Sequence, residues 1–89
     1  MHLTVVTVGT PGWLVAADPL RSALQSSVTA ADHLEHAYLD VVRHQVVFAL
    51  FLRVTDQRSA LGLAEQLCRR TMATVIPSGE WTVVSVRIG

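Results

Sequence analysis

The residues best suited to chemistry crowd one short segment: His33, Glu35 and His36, with Asp40, His44 and His2 further out. Read as a helix, this segment would place His36, Asp40 and His44 at i, i+4 and i+8, on one face that could hold a divalent cation. Read as a strand, it would turn His33 and His36 to opposite faces, and the set would fall apart. A polar face that contains histidines is the simpler reading, so no metal and no other cofactor is expected. Cys68 is the only cysteine and falls on the apolar face of a helical stretch, the setting of a small hydrophobe rather than a nucleophile. The carboxylates Asp18, Asp32, Glu35, Asp40, Asp56, Glu65 and Glu80 read as caps or solvated groups, none placed where burial would raise its pKa toward a catalytic value. Gly9-Thr10-Pro11-Gly12 lacks the Gly-Lys-Ser/Thr ending through which a P-loop grips phosphate, and reads as a turn.

Composition narrows the function classes. Lys+Arg and Asp+Glu balance at 7 each, and every basic residue is a scattered arginine, so no net field draws in nucleic acid or an anionic membrane. Val46–Leu52 is apolar but far shorter than the ~20 residues a bilayer-spanning helix needs. The opening Met-His-Leu-Thr-Val-Val has no basic leader ahead of a long apolar run, and one cysteine forms no intrachain disulfide, so a cytoplasmic, soluble protein is expected. The chain is nevertheless 51% hydrophobic with a mean hydropathy of +0.41, rich for so small a domain. Surplus apolar residues on so little volume end at the surface and mark an interface.

The elements follow from periodicity. Leu3–Val8 reads as a strand, Gly9–Gly12 as a turn, and Trp13–Ala17 as apolar and ambiguous. Asp18-Pro19 suggests a capped helix from Pro19 to about Ser27 that buries Leu20, Ala23 and Leu24. Gln45–Val54 is apolar on both alternating faces: Val46, Phe48, Leu50, Leu52 and Val54 on one, Val47, Ala49 and Phe51 on the other. Such a run belongs to a central strand covered on both sides. Between them, Asp32–Val42 satisfies two readings. Locally it suits a helix, with Thr29 as cap and Leu34, Ala37, Tyr38 and Val41 on one face. Globally it suits a strand, because the central strand needs a neighbour and a hairpin turning at Arg43-His44 supplies one. The strand is preferred. Thr55 is the natural cap of a helix over Gln57–Thr71, with Arg69 and Arg70 in its last turn, and Ile76–Gly79 is a second turn. Glu80–Ile88 closes the chain as a strand, with Val84 and Val86 on one side of it.

The order β-α-β-β-α-β over residues 1–89 predicts one ferredoxin-like α+β domain, an antiparallel sheet in 4-1-3-2 order with both helices on one face. The second sheet face, carrying Val47, Ala49, Phe51, Val84 and Val86, is then left for a partner, and a homodimer through these residues is expected, formed back to back or edge to edge. The stretch Val5-Val6-Thr7-Val8-Gly9-Thr10-Pro11-Gly12-Trp13-Leu14 resembles the strand–loop opening of ACT-type regulatory domains. That resemblance implies an amino-acid ligand at the loop, on Thr10, Pro11, Gly12 and Trp13. The acidic residue common before Pro-Gly in that family is Thr10 here. The later Val47–Leu52, Ala64–Arg69 and Gly79–Trp81 are similar to small bacterial ferredoxin-like proteins, a likeness that implies a fold and no activity. The expected function is thus a non-catalytic homodimeric module binding a small ligand or a protein partner. The other reading is a small enzyme of the dimeric α+β-barrel type, for which His36, Tyr38, Asp40 and Arg53 are the only polar suppliers of a pocket between sheets. RNA binding ranks last, since Phe48 and Phe51 face opposite ways and the net charge is zero.

Overall fold

The computed structural model describes residues 2–89, and its elements run β1 (His2–Gly9), α1 (Ala17–Ser27), a 3-10 turn (Ala30–Asp32), β2 (Leu34–Val42), β3 (Gln45–Leu52), α2 (Gln57–Val75) and β4 (Thr82–Ile88). The four strands form one antiparallel sheet in the order β2-β3-β1-β4. The ambiguous middle segment is therefore a strand. Two left-handed residues bracket it: His33 (φ 56°) turns the chain out of the 3-10 turn and His44 (φ 61°) closes the β2–β3 hairpin. The capping signal read at Thr29 is present, but it closes that 3-10 turn rather than a helix.

One face of the sheet carries the core. Thr4, Val6 and Val8 of β1 and Val46, Phe48, Leu50 and Leu52 of β3 are fully buried there. Leu20, Ala23 and Leu24 of α1 and Ala60, Ala64, Leu67, Cys68 and Met72 of α2 close over them, so both helices cover the same side. Each large side chain so buried contributes about 1.5–3 kcal/mol. Among the described residues no helix is long and apolar enough to cross a membrane.

Thr4 is an exception within this layer. Its hydroxyl is buried with no hydrogen-bond partner among the described residues. Thr4→Val replaces that hydroxyl with a methyl of similar size and is expected to stabilise the fold by about 1 kcal/mol, a rise of roughly 4–8 °C in a thermal melt.

Several boundaries differ from the sequence expectation. Helix α1 starts at Ala17, with Ala16 as a cap that makes no side-chain bond. Asp18 does not cap it; it lies inside the first turn and pairs with Arg21 at 2.9 Å. Pro19 is accommodated because the first turn leaves its N–H groups unbonded in any case. Asp56, not Thr55, caps α2 by accepting from the Ser59 N–H at 2.9 Å, and that N–H bond lowers its pKa. The helix runs on to Val75, which leaves Arg69 and Arg70 in its interior rather than its last turn. Arg69 pairs with Glu65 at 2.8 Å and lies 5.9 Å over the Trp81 ring.

Candidate functional site

Among the described residues no element covers the sheet face opposite the helices, and the strand registers place its side chains in rows. His36 stands beside Phe51 and Leu3; Tyr38 beside Ala49, Val5 and Arg87; Asp40 beside Val47, Thr7 and Ser85; Val42 beside Gln45, Gly9 and Thr82. The two inner strands thus carry an apolar band of Leu3, Val5, Val47, Ala49 and Phe51. Polar residues stand at its margins, His36 and Asp40 on β2 and Ser85 and Arg87 on β4. The band is half-buried because neighbouring side chains shield one another, whereas Tyr38 (63%), Val84 (59%) and Val42 (46%) are open to solvent. The Phe51 ring packs edge-on against His36 and Tyr38, with ring centres 6.5 and 6.1 Å apart.

Four of the five residues expected on this face are there. Val86 is not. The β1–β4 register shifts between Thr7 and Val8, which leaves Val84 as a bulged, unpaired residue. Beyond a bulge the alternation changes phase, and Val86 turns onto the helix-covered side, where it packs against the core with Val83 and Ile88. Leu3, Val5 and Val42 belong to the face and escaped the sequence reading, although continuing the period-two pattern of β1 would have found the first two.

The loop residues Thr10, Pro11, Gly12 and Trp13 form a tight turn in which the Trp13 N–H donates to the Thr10 carbonyl at 3.1 Å. Pro11 at the second position and Gly12 at the third, with φ +79°, suit a type II turn. The Thr10 N–H donates to the His44 carbonyl at 2.9 Å and ties this loop to the β2–β3 hairpin. Thr10 itself is buried, so Pro11, Gly12 and Trp13 present the loop to solvent. Beside it Leu14, 81% exposed, and Val15, Val41, Val42 and Arg43 line an open groove of about 400 Å³.

The polar residues that the sequence offered for a site do not converge on this surface. His36, Tyr38 and Asp40 follow one another along a single strand, and four residues of strand separate His36 from Asp40 by roughly 13 Å. The helical set of His36, Asp40 and His44 therefore does not form, and among the described residues no three His, Cys, Asp or Glu side chains converge. Arg53, the remaining polar supplier, is engaged with Glu35 at 2.8 Å. Cys68 is buried in the core, where burial and then the nearby Glu65 push its thiol far up. A thiol reagent is expected to leave Cys68 unmodified in the folded protein and to label it stoichiometrically in denaturant; rapid labelling of the native chain would contradict this burial. Asp32 lies on the helix side of the molecule and holds structure together (below). Searches against protein-family models, curated proteins and solved structures find no match to this chain, so the geometry of the open face and its neighbouring loop carries the functional reading.

Proposed function

We propose that this chain is a non-catalytic, ferredoxin-like homodimeric module whose open sheet face is covered by a second copy, with the Thr10–Trp13 turn as a small-ligand site. The fold part of this reading is supported by the sheet order, which from the β4 edge runs β4-β1-β3-β2, together with two helices on one face. The observation that carries the assembly is the apolar band Leu3, Val5, Val47, Ala49 and Phe51 at the centre of a face that no element among the described residues covers. Water against such a band is costly, and a symmetric partner offers the same band in return. Val47, Ala49, Phe51 and Val84 are the interface residues on this reading. Sedimentation of the wild type and of Phe51→Glu tests it, as developed in the Discussion.

The ligand part rests on the loop's position and on its resemblance to ACT-type openings. Pro11, Gly12 and Trp13 are exposed, and among the described residues nothing stands within 4 Å of a side chain built on Gly12. A thermal-shift screen of the common amino acids is expected to yield at least one stabilising ligand. Gly12→Val should abolish the shift, because a β-branched residue cannot hold φ +79° and the turn must rearrange. A flat screen would remove the ligand site and leave the assembly reading standing.

A further inference from the structure

We infer that the free edge of β2 is a second self-association site, at which the β2 strands of two copies pair antiparallel about a two-fold axis at Tyr38. This contact goes beyond the face-to-face assembly proposed above and uses different groups.

The main chain is set up for it. The Thr10 N–H bond to the His44 carbonyl makes Gly9 and Gln45 a non-hydrogen-bonded pair in the β1–β3 ladder. Alternation then turns the polar groups of Val46, Phe48 and Leu50 toward β1. Their β2 neighbours Val41, Leu39 and Ala37 consequently direct N–H and C=O away from the sheet, along its edge. These groups make no hydrogen bond among the described residues. Sheet edges are commonly blunted by bulges, proline or lysine. The β4 edge has a bulge at Val84 in mid-strand and Arg87 near its end. In β2 the irregularity falls at Glu35, near the start, and 37–41 is left smooth.

The side chains select the partner and the register. Only pairings that keep like faces together are allowed in an antiparallel ladder, so the axis passes through a residue. With Tyr38 on the axis, Ala37 and Leu39 of one copy form hydrogen-bonded pairs with the partner's Leu39 and Ala37, apolar against apolar. On the open face His36 then stands directly opposite the partner's Asp40, twice by symmetry, and Tyr38 meets the partner's Tyr38. Moving the axis one residue to Leu39 would put Asp40 against Tyr38, and moving it to Ala37 would put Asp40 against Leu34; both lose the His36–Asp40 match. On the helix side, the groove of about 260 Å³ between α1 and β2 is lined by Leu24, Val28, Leu34, Ala37 and Leu39 together with the polar Arg21, Gln25, Glu35 and His36. A partner strand along the edge covers the apolar Leu34, Ala37 and Leu39 in that groove. The match of this strand to its own reverse is what points to a second copy rather than an unrelated peptide.

The test is sedimentation equilibrium on the full chain across a concentration series. His36→Asp sets two carboxylates against each other at each of two symmetric places and is expected to raise the dissociation constant of this contact roughly tenfold or more. Adding Asp40→Lys to it sets opposite charges against each other in this register alone and should recover the wild-type mass. Tyr38→Lys, at an exposed position that tolerates it, places two like charges on the axis and should dissociate the contact with no dependence on the other pair. An unchanged mass in His36→Asp and Tyr38→Lys, or a double variant as dissociated as the single, overturns the inference. Phe51→Glu keeps the two readings apart: loss of mass in Phe51→Glu but not in the edge variants removes the edge contact alone, and the reverse removes the face contact alone.

Discussion

Phe51→Glu is expected to halve the sedimenting mass of the protein while leaving its helix content and urea midpoint close to wild type. Phe51 lies half-buried on the open face, opposite Leu3 and flanked by His36 and Tyr38. In an isolated copy a glutamate at this position reaches water, so the fold loses a modest amount of apolar contact. Against a second copy the carboxylate would be stripped of water without a counter-charge, and symmetry imposes that cost twice. Even a few kcal/mol per site is enough to dissociate a dimer held by a band this narrow. The informative contrast is Phe48→Ala, three residues away in the same strand. Phe48 is fully buried beneath the helices. Its truncation should cost about 3–5 kcal/mol of folding stability without touching the open face. A Phe51→Glu protein of unchanged mass would leave that face without its proposed partner.

Arg70→Ala carries the second large expected effect, through Asp32. The Asp32 carboxylate is nearly inaccessible, and its Oδ2 accepts from the Arg70 guanidinium at 2.6 Å, the Thr29 N–H at 2.8 Å and the Thr29 hydroxyl at 3.2 Å. Arg70 also reaches the Ser27 carbonyl at 3.3 Å, so one side chain of α2 ties down the end of α1 and the turn that launches β2. Burial pushes the Asp32 carboxyl up, but the Arg70 and Thr29 hydrogen bonds together outweigh it and hold its pKa below the ordinary 3.8. Removing Arg70 leaves a buried carboxylate with only the Thr29 donors, at a cost of about 2 kcal/mol. The partial exposure of the guanidinium keeps that figure below what a fully enclosed pair would lose. For a domain of this size that is a fall of about 10 °C in melting temperature.

The same pair sets a pH dependence of definite sign. A carboxyl whose pKa is lower folded than unfolded stabilises the fold in full above the unfolded value of 3.8, and the contribution disappears as pH falls through the lowered folded value. Urea stability of the wild type should therefore decline as pH falls below about 4. Asp56, lowered by its Ser59 N–H bond, adds a parallel loss. Arg70→Ala keeps the Asp56 part and should lose much of the Asp32 part, giving a shallower slope. Parallel slopes in the two proteins would show that Arg70 does not hold Asp32 ionised.

Local pattern sufficed wherever a residue's neighbours in the chain settle its state. Strand β3 declared itself through a β-branched and aromatic run, apolar on both alternating sides. Helix α2 showed its buried stripe at helical spacing, and Gly9–Gly12 and Ile76–Gly79 marked their turns, where Gly12 and Gly79 take positive φ. The α+β arrangement and the two-sided character of the central strand were therefore present in the amino-acid order. Residues 34–42 were not decided there, since both periods fit them; the hydrogen-bonding demand of β3 selected the strand, and that strand dispersed the histidine set. The phase of β4 was hidden as well, because the bulge at Val84 arises from pairing with β1 and nothing in Val83-Val84-Ser85-Val86 announces it. Asp32 and Arg70 lie 38 residues apart, beyond the reach of any local rule. Which main-chain groups of β2 face outward, and hence what its edge can pair with, exists only once three strands are in register. Periodicity records which side chains avoid water; the surface left over is a property of the assembled sheet.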